Sequence, residues 1–282
     1  MFHTSERPGG VATAARPADP RVSVVVPARD QARALDLLLP ALPPVHEVIL
    51  VDGGSADDTV ATARRQLPDV RVTRQRHRDE GHALAAGLAE VTGDVVVLLD
   101  AGTSADPGEI PRLVAALVDG ADVASGSRLP ADRGHDGAGG RRLGDAVLNR
   151  IARRVLGQGM GDLHHGFDAF WADLLPVLVP SPDLGPARGR VVWGDVFEVE
   201  RTAIRCRLAA AEAAVAEVPT TQLSRGRGDG SVRSLLHGLR LLPTLVTESR
   251  RIHSADHLVV RRPECPGQRQ RLALVSSGRV SP

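Results

Sequence analysis

Short, apolar, β-branched runs that stop abruptly at Pro or at Asp-Gly-Ser turns constrain this chain more than any other feature. Val22-Ser23-Val24-Val25-Val26, closed by Pro27, is apolar almost throughout and too short for a helix, as expected of a strand buried on both faces. Further runs at 45–51, 70–73, 94–99 and 121–125 are read the same way. Between them, 31–39, 57–67 and 81–91 carry apolar residues at three- and four-residue spacing. A fourth helix is predicted over 107–118, with Asp106 as N-cap, Pro107 at its first position and Glu109 in its first turn. Strand–helix alternation of this kind predicts an α/β fold, a parallel doubly wound sheet with right-handed crossovers.

Beyond the fifth run the pattern is less regular. A Gly- and Asp-rich loop is expected at 126–140, helices at 143–156 and 195–213, a short element at 162–171 and a Pro-rich connection at 176–190. Residues 1–20 read as a loose leader and 253–282 as a tail. With 42% hydrophobic residues in 282, the chain can bury a core. No apolar run approaches the roughly 20 residues of a membrane-spanning helix, and the first 20 hold no signal-peptide core. Cys206 and Cys265 make neither a disulfide framework nor a Cys-rich zinc site. A net charge of +1 gives no reason to expect nucleic acid as a partner. The expectation is a soluble cytoplasmic protein, of undetermined oligomeric state. None of the 35 basic residues is Lys, there is no Tyr, and Asn149 is the sole Asn, a bias that points to a GC-rich genome. A single Arg therefore carries less functional information here than elsewhere.

Ligands of open parallel sheets bind outside the carboxyl ends of the strands, where strand order reverses. Three strand ends carry polar clusters: Pro27-Ala28-Arg29-Asp30, Asp52-Gly53-Gly54-Ser55-Ala56-Asp57-Asp58-Thr59, and Asp100-Ala101-Gly102-Thr103-Ser104-Ala105-Asp106. Each alone is a common turn into a helix. In their order and spacing they resemble the family 2 glycosyltransferases of GT-A fold, particularly the dolichol- and polyprenyl-phosphate sugar transferases. Residues 22–30 resemble "VSVVIPAYNE", 51–59 "VDDGSTDGT" and 81–87 "GKGAALRAG". Residues 93–112 resemble "GDxVVxLDADxSxDPxEIPRL", which contains the family's DxD site, and Ser125–Arg128 the following "GSR". Residues 162–170 are similar to "DxxxGFRAF", 197–200 with 216–219 to "FExE…VxEVP", and 225–231 to a relaxed "RxxGxSK".

The resemblance implies a GT-A, Rossmann-like, mostly parallel sheet flanked by helices, with a helical acceptor-side region towards the C-terminus. Residues 21–130 would form the nucleotide-sugar half of the domain and 131–252 the acceptor half. It implies an inverting transfer from a UDP- or GDP-sugar, with Pro27, Ala28, Asp30, Asp52, Gly54 and Asp100 at the nucleotide sugar. Asp100 would also hold a divalent cation, Mg²⁺ or Mn²⁺. Arg128 would stabilise the leaving diphosphate, since a guanidinium binds phosphate bidentately. Arg142, Arg225 and Ser231 would serve phosphate or acceptor. Asp195 and Glu198 are the candidate bases for a hydroxyl acceptor, and they could equally be helix N-terminal charges. A lipid-phosphate acceptor, already ionised, needs no strong base. The segment 225–262 carries eight Arg against three acids beside a row of leucines, so it suits either an anionic bilayer or the protein's own core. The inner face of the membrane is the corresponding place of work.

Departures from the motifs fall on charged positions. Gln31 stands where the family has Glu, Gly53 and Gly102 where it has Asp, and His82 and Val232 where it has Lys. A hard cation wants several oxygen ligands. Three readings therefore stay open: a metal held by Asp100 with Asp106, Asp162, His164 or His165; a metal-independent site neutralised by Arg128, Arg141, Arg142 and Arg225; or a homologue that binds nucleotide or a partner without transferring sugar.

Overall fold

The computed structural model describes residues 11–12, 16–74, 83–102, 105–128, 166–178, 204–205, 207–208, 213–221 and 260–261. The predicted runs form strands β1 (Val22–Ala28), β2 (Glu47–Asp52), β3 (Arg71–Arg74), β4 (Val95–Leu99) and β5 (Val123–Arg128). Two more follow, β6 (Phe167–Trp171) and β7 (Val215–Thr220), and the sheet order is β3-β2-β1-β4-β6-β5-β7. Helices α1 (Ala32–Leu38), α2 (Thr59–Gln66), α3 (Ala83–Ala89) and α4 (Ile110–Val118) lie between strands as expected. Asp106 caps as predicted, its carboxylate accepting from Gly108 N at 2.8 Å, but a 3₁₀ turn over Pro107–Glu109 precedes α4.

Three differences from the sequence reading have physical causes. The sheet is not wholly parallel: β6 runs antiparallel to both β4 and β5. The strand β5 extends to Arg128 because β7 pairs with it in parallel as far as Thr220, so 126–128 are strand rather than loop. The strand β3 is half exposed because it lies at the sheet edge. The other edge strand, β7, tolerates Pro219, which a central strand would not.

Alternate residues of β1, β2 and β4 face opposite layers, so both layers bury apolar surface. Val24, Val26, Leu50, Val97 and Leu99 pack with Leu35 and Leu38 of α1 and Leu113 and Leu117 of α4. Val25, Ile49, Val51, Val96 and Leu98 pack with Leu84 and Leu88 of α3, Phe170, Ile204 and Leu208. At Gly87 the helix α3 lies so close to β2 that a Cβ would collide with the Val51 side chain.

Charged groups fasten this frame. At the amino ends of the strands, Glu47 accepts from Ser23 Oγ at 2.7 Å, Thr92 N at 2.7 Å and Arg71 Nη1 at 2.8 Å. Arg16, in the segment read as a leader, reaches Asp122 at 2.7 Å and Asp173 at 3.0 Å while lying over Trp171. Inside the second layer, buried Arg205 donates to both carboxylate oxygens of buried Asp168 at 2.7 and 2.8 Å. Ser125 Oγ donates to the same carboxylate at 2.7 Å.

Burial alone would raise the Glu47 carboxyl, but hydrogen bonds from Ser23, Thr92 and Arg71 outweigh it and hold the group from 4.5 down to about 2. Its contribution is complete above the unfolded value and is lost as pH falls from 4.5 towards 2. Glu47→Gln is therefore expected to cost about 2–3 kcal/mol at pH 7 in urea unfolding, with the gap from the parent closing as the solution is acidified through that window. Arg205→Met strips the guanidinium from a buried carboxylate and should cost about 3–5 kcal/mol. Combining it with Asp168→Leu should recover much of that loss, which a double-mutant cycle measures.

Candidate functional site

Strand β1 has a parallel neighbour on each side, β2 and β4, and strand order reverses across it. The three polar clusters therefore meet at one carboxyl edge, the crevice position for a ligand in an open α/β sheet. Backbone bonds align them: Gly53 N donates to Ala28 O at 2.9 Å and Ala101 N to Pro27 O at 3.2 Å. Predicted contact residues Pro27 and Ala28 thus act through their carbonyls, which hold the neighbouring turns. Gly54 adopts φ of 78°, the left-handed conformation that favours glycine, at the bend of the β2 turn.

The first two loops are buttoned together. Asp30 N donates to Ser55 Oγ at 3.0 Å, and Ala56 N to Asp30 Oδ1 at 2.7 Å. Gln31 N donates to Thr59 Oγ1 at 2.8 Å and Ala32 N to Asp57 Oδ2 at 3.1 Å. Thr59 also donates to Asp57 Oδ1 through both its N–H and its hydroxyl. Burial pushes the Asp57 carboxyl up, but hydrogen bonds from Thr59 and Ala32 win and hold it below its ordinary value. Asp30 adopts φ of 52°, a left-handed conformation unusual for a residue with a Cβ, and these bonds impose it.

Asp52 is buried, accepts from Ser55 N at 3.1 Å and faces Arg74 Nε at 3.8 Å, its register partner on β3. Arg74, largely exposed, adds a cation to this edge that sequence reading passed over because Arg is everywhere in this chain. Asp57 likewise stood in a quoted motif without a role. Asp100 follows β4, anchored by its N–H to Gly166 O at 3.0 Å, and its Oδ1 accepts from Gly102 N at 2.8 Å. Gly102 itself lies against the Gln31 side chain: a Cβ there would sit 3.4 Å from Gln31 Nε2 and 3.4 Å from Asp100 Oδ1.

Among the described residues no cation site is assembled at this turn. The turn offers the carboxylate of Asp100, and Asp106, one of its proposed companions, caps the turn before α4. Among the described residues no three His, Cys, Asp or Glu side chains come together. Arg128 is placed by its backbone, as the last residue of β5 opposite Thr220. Asp162, His164, His165, Arg141, Arg142, Asp195, Glu198, Arg225 and Ser231 lie outside the described residues.

Known proteins place this edge in context. The family model described as "Glycosyl transferase family 2" matches residues 23–177, more than half of the chain. Undecaprenyl-phosphate 4-deoxy-4-formamido-L-arabinose transferases of Sodalis glossinidius and Klebsiella pneumoniae are each 33% identical over 154 residues, 50% of this chain and 46% of theirs. The chain thus spans about half the length of these relatives. Glucosyl-3-phosphoglycerate synthase from Mycobacterium tuberculosis, solved with phosphoglyceric acid, superimposes with a TM-score of 0.58 at 22% identity, covering 83% of this chain and 81% of that one. The same synthase solved with Mn²⁺, UDP-glucose and phosphoglyceric acid gives 0.59 at 21% identity, covering 94% and 96%. These likenesses establish the GT-A fold.

The left-handed Asp30 separates backbone from side chain. Asp30→Ala and Asp30→Gly both remove the acceptor for Ala56 N, but only Ala keeps a Cβ in the disfavoured conformation. Urea unfolding should find Asp30→Ala less stable than Asp30→Gly by about 1 kcal/mol.

Proposed function

Because the chain belongs to glycosyl transferase family 2, we propose that it transfers a sugar from a nucleoside-diphosphate donor, UDP- or GDP-linked, to a polyprenyl phosphate. The observation that carries this reading is the meeting of Asp30, Asp52 and Asp100 at three adjoining strand ends, all within the matched span. Buried Asp52, fixed by Ser55 N, suits a nucleoside N–H or hydroxyl donor, with Asp30 and exposed Arg74 beside it. Asp100, on the next strand end, is assigned to the ribose hydroxyls. Arg128, ending β5 along the same edge, is assigned to the phosphate.

The reaction is an inverting displacement. An acceptor phosphate oxygen forms the new bond to the anomeric carbon, and the bond from that carbon to the donor's β-phosphate oxygen breaks. Its electron pair leaves with the nucleoside diphosphate. The acceptor oxygen is already anionic, so no base must remove a proton. The barrier is dominated by charge on the leaving group, where fixed donors and guanidinium groups act most strongly. The relatives named as undecaprenyl-phosphate transferases support the lipid acceptor. Arg142, Arg225 and Ser231 are assigned to acceptor phosphate, with Asp195 and Glu198 as the bases if the acceptor is instead a hydroxyl. Among the described residues no helix is long and apolar enough to cross a membrane; work on a lipid acceptor is assigned to the bilayer surface. The basic 225–262 segment is the assigned contact, at the cytoplasmic face.

Incubating the full chain with labelled UDP- and GDP-sugars and undecaprenyl phosphate, then extracting lipid, tests the reading directly. Asp100→Ala is expected to lower label transfer by about 100-fold or more with the fold intact by circular dichroism. An unaffected variant would sink the assignment.

A further inference from the structure

Gln31 and Gly102 lie 71 residues apart in sequence, on the turns after β1 and β4, yet the fold brings them together. Each stands where the motif it resembles has an acid. A Cβ on Gly102 would be 3.4 Å from Gln31 Nε2 and 3.4 Å from Asp100 Oδ1. Two departures that look independent along the chain are therefore one local change, which removes two carboxylates from the side of Asp100. We propose that the Gln31 carboxamide is a donor-binding group that meets the diphosphate directly, so that nucleotide binding at this turn does not need a divalent cation. This rests on the glycosyltransferase reading of the same site and deepens it.

The chemistry is consistent with the placement. Carboxylates beside a diphosphate repel it unless a cation lies between them. An amide N–H donates to a phosphate oxygen without one. The Gln31 carboxamide makes no hydrogen bond among the described residues, while its backbone N–H is fixed by Thr59 Oγ1 at 2.8 Å. Its base is thus held and its donor end is available over the turn. Backbone strain does not force glycine at 102, because its φ is not among the positive values and the space for a Cβ is ordinary contact. A Cβ is therefore accommodated at 102, and neither backbone strain nor contact at that atom imposes the glycine.

Calorimetric titration of the full chain with UDP and with GDP, in Mn²⁺ and in EDTA, tests this. The parent should bind one of them with dissociation constants that differ by less than about threefold between the two conditions, and Gln31→Ala should weaken both by about tenfold. Gln31→Glu with Gly102→Asp should bind at least about tenfold more tightly in Mn²⁺ than in EDTA. Parent binding that vanishes in EDTA overturns the inference and leaves the family reading standing. Parent protein that binds neither nucleotide in either condition overturns both. A parent that binds equally in both conditions, with Gln31→Ala unchanged, removes the role of Gln31. Because the first comparison uses the unaltered protein, it does not depend on any variant folding.

Discussion

Strand β1 is paired in parallel on both sides, and the carboxyl edge depends on that arrangement. A strand with one neighbour could align one turn with its own. Flanked by β2 and β4, it aligns two, and the carbonyls of Pro27 and Ala28 receive the N–H groups of Ala101 and Gly53. These bonds fix the relative heights of the three turns. The opposite edge serves as counterweight. There Glu47 ties β1, β2 and β3 to the loop before β4 at 2.7–2.8 Å, so the four strands cannot slide past one another.

Rigidity at the site comes from using polar groups twice. Asp57 accepts from Thr59 N at the start of α2 and at the same time, with Ser55 and Thr59, holds the backbone of Asp30, Gln31 and Ala32. The strained φ at Asp30 is sustained by this surplus of bonds, a common arrangement where a side chain must be aimed at a ligand. A preorganised edge of this kind spares the ordering cost on binding. It also explains why so many of the motif residues, once placed, touch other loop residues.

What was legible in the sequence followed local physics. The runs of β1, β2 and β4 are apolar on both faces, so they declared themselves as central strands, and Asp106 with Pro107 declared a helix start. Asp30, Asp52 and Asp100 stood out as turn residues at strand ends, and their candidate roles came from the family resemblance. The rest needed the third dimension. The reversed direction of β6 leaves no trace in a five-residue apolar segment, because direction is set by its partners. The extension of β5 to Arg128 depends on β7, some ninety residues on. Arg74 and Arg205 were hidden by composition, since an Arg-only basic complement makes each one look ordinary.

Two departures from the family motifs are answered differently, and burial decides how. Asp168 occupies the Arg position of "GFRAF", and its side chain is sealed in the core beside Phe170 and Leu98. A reversed charge there cannot be left to solvent, and the cation returns from a distant segment as Arg205, equally buried and bound to both oxygens. At Gln31 and Gly102 the turn opens to the crevice. Missing carboxylates there leave no buried charge to compensate, so the fold tolerates their loss without a replacement acid among the described residues. With no such acid among the described residues, the compensation is proposed on the side of the ligand. Burial constrains the first substitution, which is visible as an ion pair, whereas the second, under no such constraint, is visible as an amide facing a glycine.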